Sequence, residues 1–433
     1  MRGIAAIVIA GFLGGATPGL AQEAETDVAA FLRLRAEGVA AANAEDLATA
    51  SARLAEADAR IPNHPGLMLM RARLAVAASQ PAEAMIQLRR YAAAGLVIDL
   101  AADRALSTLA DQPGFAELAA GLATNRAAIG ADRLSPLFEI AGPHLSEAVV
   151  RDEARSRWLV SQVSDRTIVA VDDTGRITPF LKAPPETGGV LGMAIDPERG
   201  LLWAAIAPLP PAVHGAGPEA SLPGTALIRV ELESGRIGAW FDPPAGPAER
   251  ALGDVLLATN GDAYVSDSAA GEILVVRPGG GPMDVLLSTG TLRSPQGLVA
   301  TPDGRGLIVA DYSSGLWRVD RETGAAERLP APDDASLIGV DGMTTDGRFL
   351  YGFQNGVAPQ RVLKLTPDAG WTAILSVEVL AANLPMIDEP TTGLVRNREL
   401  VFVSRSQWSD FGGDGAETTP TPAPAIIARL PLD

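Results

Sequence analysis

The chain has 433 residues, 47% hydrophobic and 20% charged, with a formal net charge of −17. That composition suits a soluble globular protein of more than one domain, and an acidic surface with no Lys/Arg cluster argues against nucleic acid or an anionic membrane as partner. With 0 Cys and 3 His (His64, His144 and His214, far apart), the sequence excludes disulfides, thiolate sites, an HExxH zinc centre and a recognisable Ser-His-Asp triad, which leaves carboxylates, amides and a hard metal to carry chemistry.

The chain opens "MRGIAAIVIAGFLGGATPGLAQ", with Arg2, an apolar run from Ile4 to Leu13, and small residues at Gly19 and Ala21. This has the form of a secretory signal, residues 1–21, cut after Ala21. The apolar run is too short to span a bilayer comfortably, and no later stretch is long enough. The mature protein is expected in the periplasm or outside the cell.

Residues 23–130 are rich in Ala, Leu, Arg and Glu, with apolar positions at helical spacing. The pattern predicts a helix ending before Pro62, a second over about 67–78, and a third after Pro81 that stops at a Gly95 cap. Ala72, Ala75, Ala82 and Ala84 would let such helices pack closely. One helix pair here, with degenerate flanks such as "IDLAADRALSTLADQPGFAEL", resembles a tetratricopeptide repeat. The resemblance implies a module that binds a protein or peptide partner on a concave face. A helical cap that only packs on the next domain fits equally well.

From residue 135 to 433 the grammar changes to strands and hairpins. "LGMAIDPERGLLWAAIA" from Leu191, "LGDVLLATNGDAYVSDS" from Leu252, "PQGLVATPDGRGLIVADY" from Pro295, "VDGMTTDGRFLYGFQNG" from Val340 and "TTGLVRNRELVFVSRSQ" from Thr391 share one pattern. "LSEAVVRDEARSRWLVSQVSDR" from Leu145 is a looser copy. Four strands per unit at a period of about 45 residues predict a six-bladed β-propeller, so the fold class is a helical domain followed by an all-β ring. "LFEIAG" from Leu137 and the C-terminal "AIIARLPLD" are expected to close the last blade together. Two insertions interrupt the period, from Pro208 and from Ser409. Trp158, Trp203 and Trp317 read as core between blades, and Asp165, Asp267 and Asp311 as turn caps.

Residues at the start of each innermost strand converge on the ring axis: Glu147, Gly192, Asp254, Gln296, Asp341 and Thr392. Acids and an amide facing one axis outline a hard-cation site. The ring resembles the senescence-marker-protein/gluconolactonase (regucalcin-like) propellers. "SEAVV" offers Glu147 without the Gly-Pro-Trp that usually follows, "PQGLVATPDGRGLIVAD" puts Gln296 where the family has a ligand Asn, and "VDGMTTDGR" supplies Asp341. Gly253-Asp254 stands where the family has a substrate-contacting Asn-Asp. The resemblance implies a divalent cation, Ca²⁺ or else Zn²⁺ or Mg²⁺, on Glu147, Gln296 and Asp341, and hydrolysis of a sugar lactone or similar cyclic ester with Asp341 as base. Asp254 and Thr392 would contact substrate. Each residue also has a structural reading: Glu147 as an exposed acid, Gln296 bonded to a neighbouring blade's backbone, Asp341 capping a turn. The competing functions are a non-catalytic ring that binds a small ligand or a protein, and a strictosidine-synthase-like or NHL-type propeller with other channel residues.

Overall fold

The computed structural model describes residues 25–184, 187–208, 224–411 and 423–432. The signal-like segment 1–21, His214 and most of both insertions lie outside them.

The N-terminal region folds as α1 (Asp27–Asn43), α2 (Leu47–Arg60), α3 (Pro65–Ala77), α4 (Pro81–Ala93) and α5 (Phe115–Thr124). Local chemistry fixes the starts. Thr26 Oγ1 accepts from Ala29 N, Asp46 from Thr49 N and His64 Nδ1 from Leu67 N, while Pro65 and Pro81 take first-turn positions where a missing N–H costs nothing. Helix α3 therefore begins two residues earlier than the spacing predicts, because His64 caps it. The flank at 98–114 carries turns and a single 3₁₀ turn at Leu106–Leu109 rather than a full helix. Among the described residues no helix is long and apolar enough to cross a membrane.

The rest is a ring of six four-stranded antiparallel sheets. Five blades are continuous in sequence, over 146–182, 189–241, 252–287, 295–328 and 340–382. The sixth is composite: Gly393–Arg396, Glu399–Arg405 and Ala425–Pro431 are completed at the outer edge by Ser135–Ile140, as the sequence predicts. Trp158, Trp203 and Trp317 are all buried, in apolar clusters that each span two adjacent blades. The helical region has no wholly separate core, since Phe31, Leu34 and Leu54 belong to the same buried cluster as Tyr264 and Trp317 of blades three and four.

Because neighbouring strands are antiparallel, the innermost strands begin on the face from which the second-to-third and fourth-to-first connections emerge. The helical region docks on that face. Thr26 Oγ1 donates to Gly290 O (2.7 Å), Asn63 Nδ2 to Asp333 O (3.1 Å), Val97 N to Ala358 O (2.8 Å), and Asn383 Nδ2 to the carbonyls of Asn125 and Ala127. Both insertions leave the ring from the same face.

The interface between blades five and six rests on Phe353 and Phe402, fully buried with ring centroids 5.2 Å apart. Phe402→Ala is expected to cost about 3–5 kcal/mol, read as a lower urea midpoint with an unchanged slope. A loss below about 1 kcal/mol would show that the seam is not held by this pair.

Candidate functional site

In blades one to five the innermost strand slips by one residue against its neighbour, between Ser146 and Val149, Val190 and Met193, Leu252 and Val255, Pro295 and Leu298, and Val340 and Met343. Each slip is a β-bulge, which turns a side chain away from the alternation of a regular strand. Glu147, Gly192, Asp254, Gln296 and Asp341 all lie inside these bulges. The freed backbone groups are met by serine hydroxyls: Ser161 Oγ accepts from Ala148 N (2.9 Å) and Ser266 Oγ from Asp254 N (3.0 Å). The glycine that recurs after the site position is explained by approach. A Cβ on Gly297 would meet Met343 N at 2.5 Å and Asp341 O at 2.8 Å, so only glycine lets blades four and five close here.

Glu147, Gln296, Asp341 and Thr392 are each held by a side-chain bond, which decides among their structural readings, whereas the Asp254 carboxylate takes no hydrogen bond among the described residues. Glu147 is only 8% exposed, so it is no surface acid. Its Oε2 accepts from Trp408 Nε1 (2.7 Å), and its carbonyl accepts from Thr391 Oγ1 (2.6 Å) and Thr392 Oγ1 (3.2 Å). Asp341 caps no turn: its Oδ2 accepts from Asn355 Nδ2 (2.6 Å). Gln296 donates Nε2 to Ser294 Oγ (3.1 Å), within its own strand entry rather than to a neighbouring blade, and its Oε1 lies beside Gly253. Thr392 spends its hydroxyl on Glu147. Asp267 and Asp311 do cap turns, accepting backbone N–H groups from Ala251 and Ala270 and from Arg293 and Ser313. Asp165 instead holds His144, Oδ2 to Nδ1 at 2.6 Å, and raises the imidazole pKa.

The acids share one field. Burial pushes Asp254 up to about 6 and, with the charge of Asp254 added, pushes Asp341 up to about 8. Glu147 is driven well above the usual carboxylate range by burial and by Asp341, against the Trp408 bond. Four neighbours were not legible as site residues. Trp408, Asn355, Tyr312 and Glu389 stand on connections between strands. Tyr312 Oη donates to Asn355 Oδ1 (3.0 Å), and Glu389 holds a left-handed φ of 54° with a buried Oε2 that meets no donor. Tyr312 and Asn355 each stand just after the second strand of their copy, the position at which the repeat ends in a small or polar residue. Along the axis past Asp254 and Thr392 runs a cavity of about 290 Å³ with mainly apolar walls, among them Val150, Leu256, Ala300 and Leu394.

Among the described residues no three His, Cys, Asp or Glu side chains form a metal-holding group. A cation on the expected trio would rest on two carboxylates and the Gln296 amide oxygen. No family model matches the sequence, and no curated protein does either. Among solved structures the chain is similar to a gluconolactonase from Xanthomonas campestris (16% identity, 71% of this chain and 92% of that one, TM-score 0.48). It is also similar to a PQQ-bound aldose sugar dehydrogenase from Streptomyces coelicolor (15%, 69% and 97%, 0.49), and to regucalcin, a calcium-binding protein from Agrobacterium tumefaciens (14%, 69% and 94%, 0.45). At such identities the likeness is one of ring architecture and does not extend to chemistry.

The raised carboxyls have a pH consequence. A carboxyl whose folded pKa lies above its unfolded value favours folding below the unfolded pKa, and that contribution is lost as pH rises through the folded pKa. With Asp254 at about 6 and Asp341 at about 8, the metal-free protein should lose stability between about pH 4 and pH 8. Asp341→Asn should gain on wild type across that interval in urea midpoint measured with chelator. A gap that does not change with pH would contradict it.

Proposed function

We propose that the ring is a divalent-cation-dependent hydrolase of a lactone or similar small cyclic ester, exported on the strength of residues 1–21. The observation that carries this reading is the way the trio is anchored. Glu147 and Asp341 each give one oxygen to a neutral donor, Trp408 and Asn355, and none of Glu147, Asp254 and Asp341 forms an ion pair with Lys or Arg among the described residues. Gln296 spends its NH₂ on Ser294, which leaves its carbonyl oxygen as the ligand. Two acids and an amide oxygen are hard donors of the kind Ca²⁺ takes, and Zn²⁺ or Mg²⁺ are the alternates.

The cation would polarise the ester carbonyl. Asp341 takes a proton from the water whose oxygen bonds to the acyl carbon; the ring C–O bond then breaks and Asp341 returns that proton to the leaving alkoxide. Asp254 and Thr392, lining the cavity beneath, would contact the ring substituents.

Elemental analysis of protein purified without chelator, with a panel of sugar and alkyl lactones, tests the reading. Bound divalent metal and turnover that chelator removes are expected, and Asp341→Ala should lower kcat by about 10²–10⁴-fold. Metal-free protein with no hydrolysis, and Asp341→Ala indistinguishable from wild type, would overturn it.

A further inference from the structure

The connection between the second and third strands of blade five, residues 355–360, faces two ways. Its first residue holds the site: Asn355 Nδ2 forks to Asp341 Oδ2 (2.6 Å) and Pro390 O (3.1 Å), two acceptors that fix which way the amide faces, while Tyr312 Oη donates to Asn355 Oδ1. Its last residue does the same for Glu389, whose N–H donates to Gln360 Oε1 (2.6 Å). Between those ends the connection is gripped by the helical region. Val357 packs into the apolar cluster formed by α3, α4 and α5, and Ala358 O accepts from Val97 N.

Just beyond, Arg361 is 3% exposed, and the grip continues through it. It donates Nε to Gln354 Oε1 (2.6 Å) and Nη1 to the carbonyls of Ala94 (3.0 Å) and Gly95 (3.3 Å). Gly95 has a φ of +72°, and a Cβ there would stand 2.7 Å from Arg361 Nη1. The helical side is thus built to admit this guanidinium closely.

We propose that the helical region is a positioning element for the channel site: by clamping residues 355–361 it fixes Asn355, and through Asn355 it sets the orientation of the Asp341 carboxylate. Val357, Arg361 and Gly95 are then positioning residues that touch no substrate. The role rests on the hydrolase reading for its effect on turnover, but the clamp itself does not. Of the connections the helical region touches, this is the one whose own side chains bond Asp341 and Glu389.

The test uses the full chain, with Val357→Asp to spoil the packing, Gly95→Ala to displace Arg361 from the helical side, and Ile86→Ser, at an exposed position of α4, as control. The side-chain amide resonance of Asn355, labelled with ¹⁵N-asparagine and assigned by its loss in Asn355→Asp, is the direct readout. Both clamp variants should shift that resonance and speed its hydrogen exchange, lower kcat about tenfold and leave KM within about twofold; Ile86→Ser should do none of these, and Val357→Ile should restore wild-type behaviour. Should Val357→Asp not fold by near-ultraviolet circular dichroism, Gly95→Ala carries the test. An unmoved resonance in a folded clamp variant overturns the inference while leaving the hydrolase reading standing. An inactive wild type sinks that reading instead, and the resonance still decides the clamp.

Discussion

The pairing of Ser135–Ile140 with Ala425–Pro431 is the constraint on which the rest depends, because it joins the two ends of the ring domain in one blade. A ring of blades leaves only short, protected edges, and here the seam between blades six and one is also where Glu147 is held. Thr391 and Thr392 reach it from just before the sixth inner strand, and Trp408 from the connection after the second. Part the seam and Glu147 loses all three donors. Closure and site geometry are one requirement.

Closure also forces like charges together, and the chain meets that cost in a telling way. An arginine beside these acids would neutralise them and fill their lone pairs. The side chains present are an indole and an amide, which fix a carboxylate's orientation while leaving its charge. The upward pKa shifts are the measure of what is left uncompensated. Three of the five bulged inner strands turn an acid, Glu147, Asp254 or Asp341, out of the regular alternation.

The ring and the helices were legible because both are written in short-range patterns. A 45-residue period of apolar strands and turn residues gives the blades, and Pro62, Pro81 and Gly95 punctuate helices by what their own backbones permit. Glu147, Gln296 and Asp341 were legible as positions, since a ring brings equivalent strand starts to one axis. Their partners were not. Trp408 is 261 residues from the carboxylate it bonds, and Tyr312 stands 43 residues from Asn355, on another blade. Such contacts depend on how far connections lean once blades pack, and no local propensity encodes that.

The same logic accounts for the helical region. In blades one, three and four the second and third strands are joined by turns of three or four residues, which hold their own geometry. In blade five the connection has six residues, 355–360, and both its ends bear on the site. A longer connection loses more entropy on ordering and has fewer bonds of its own to offset that loss. The helical region supplies what is missing: apolar contact for Val357, an N–H for Ala358, and carbonyls for a buried guanidinium that would otherwise stand unsatisfied. Sharing its buried cluster with blades three and four gives it a fixed footing from which to hold blade five. The region's other polar bonds, with Gly290, Asp333 and Asn383, fall on connections between blades; those to Ala358 and Arg361 grip the segment whose ends hold Asp341 and Glu389.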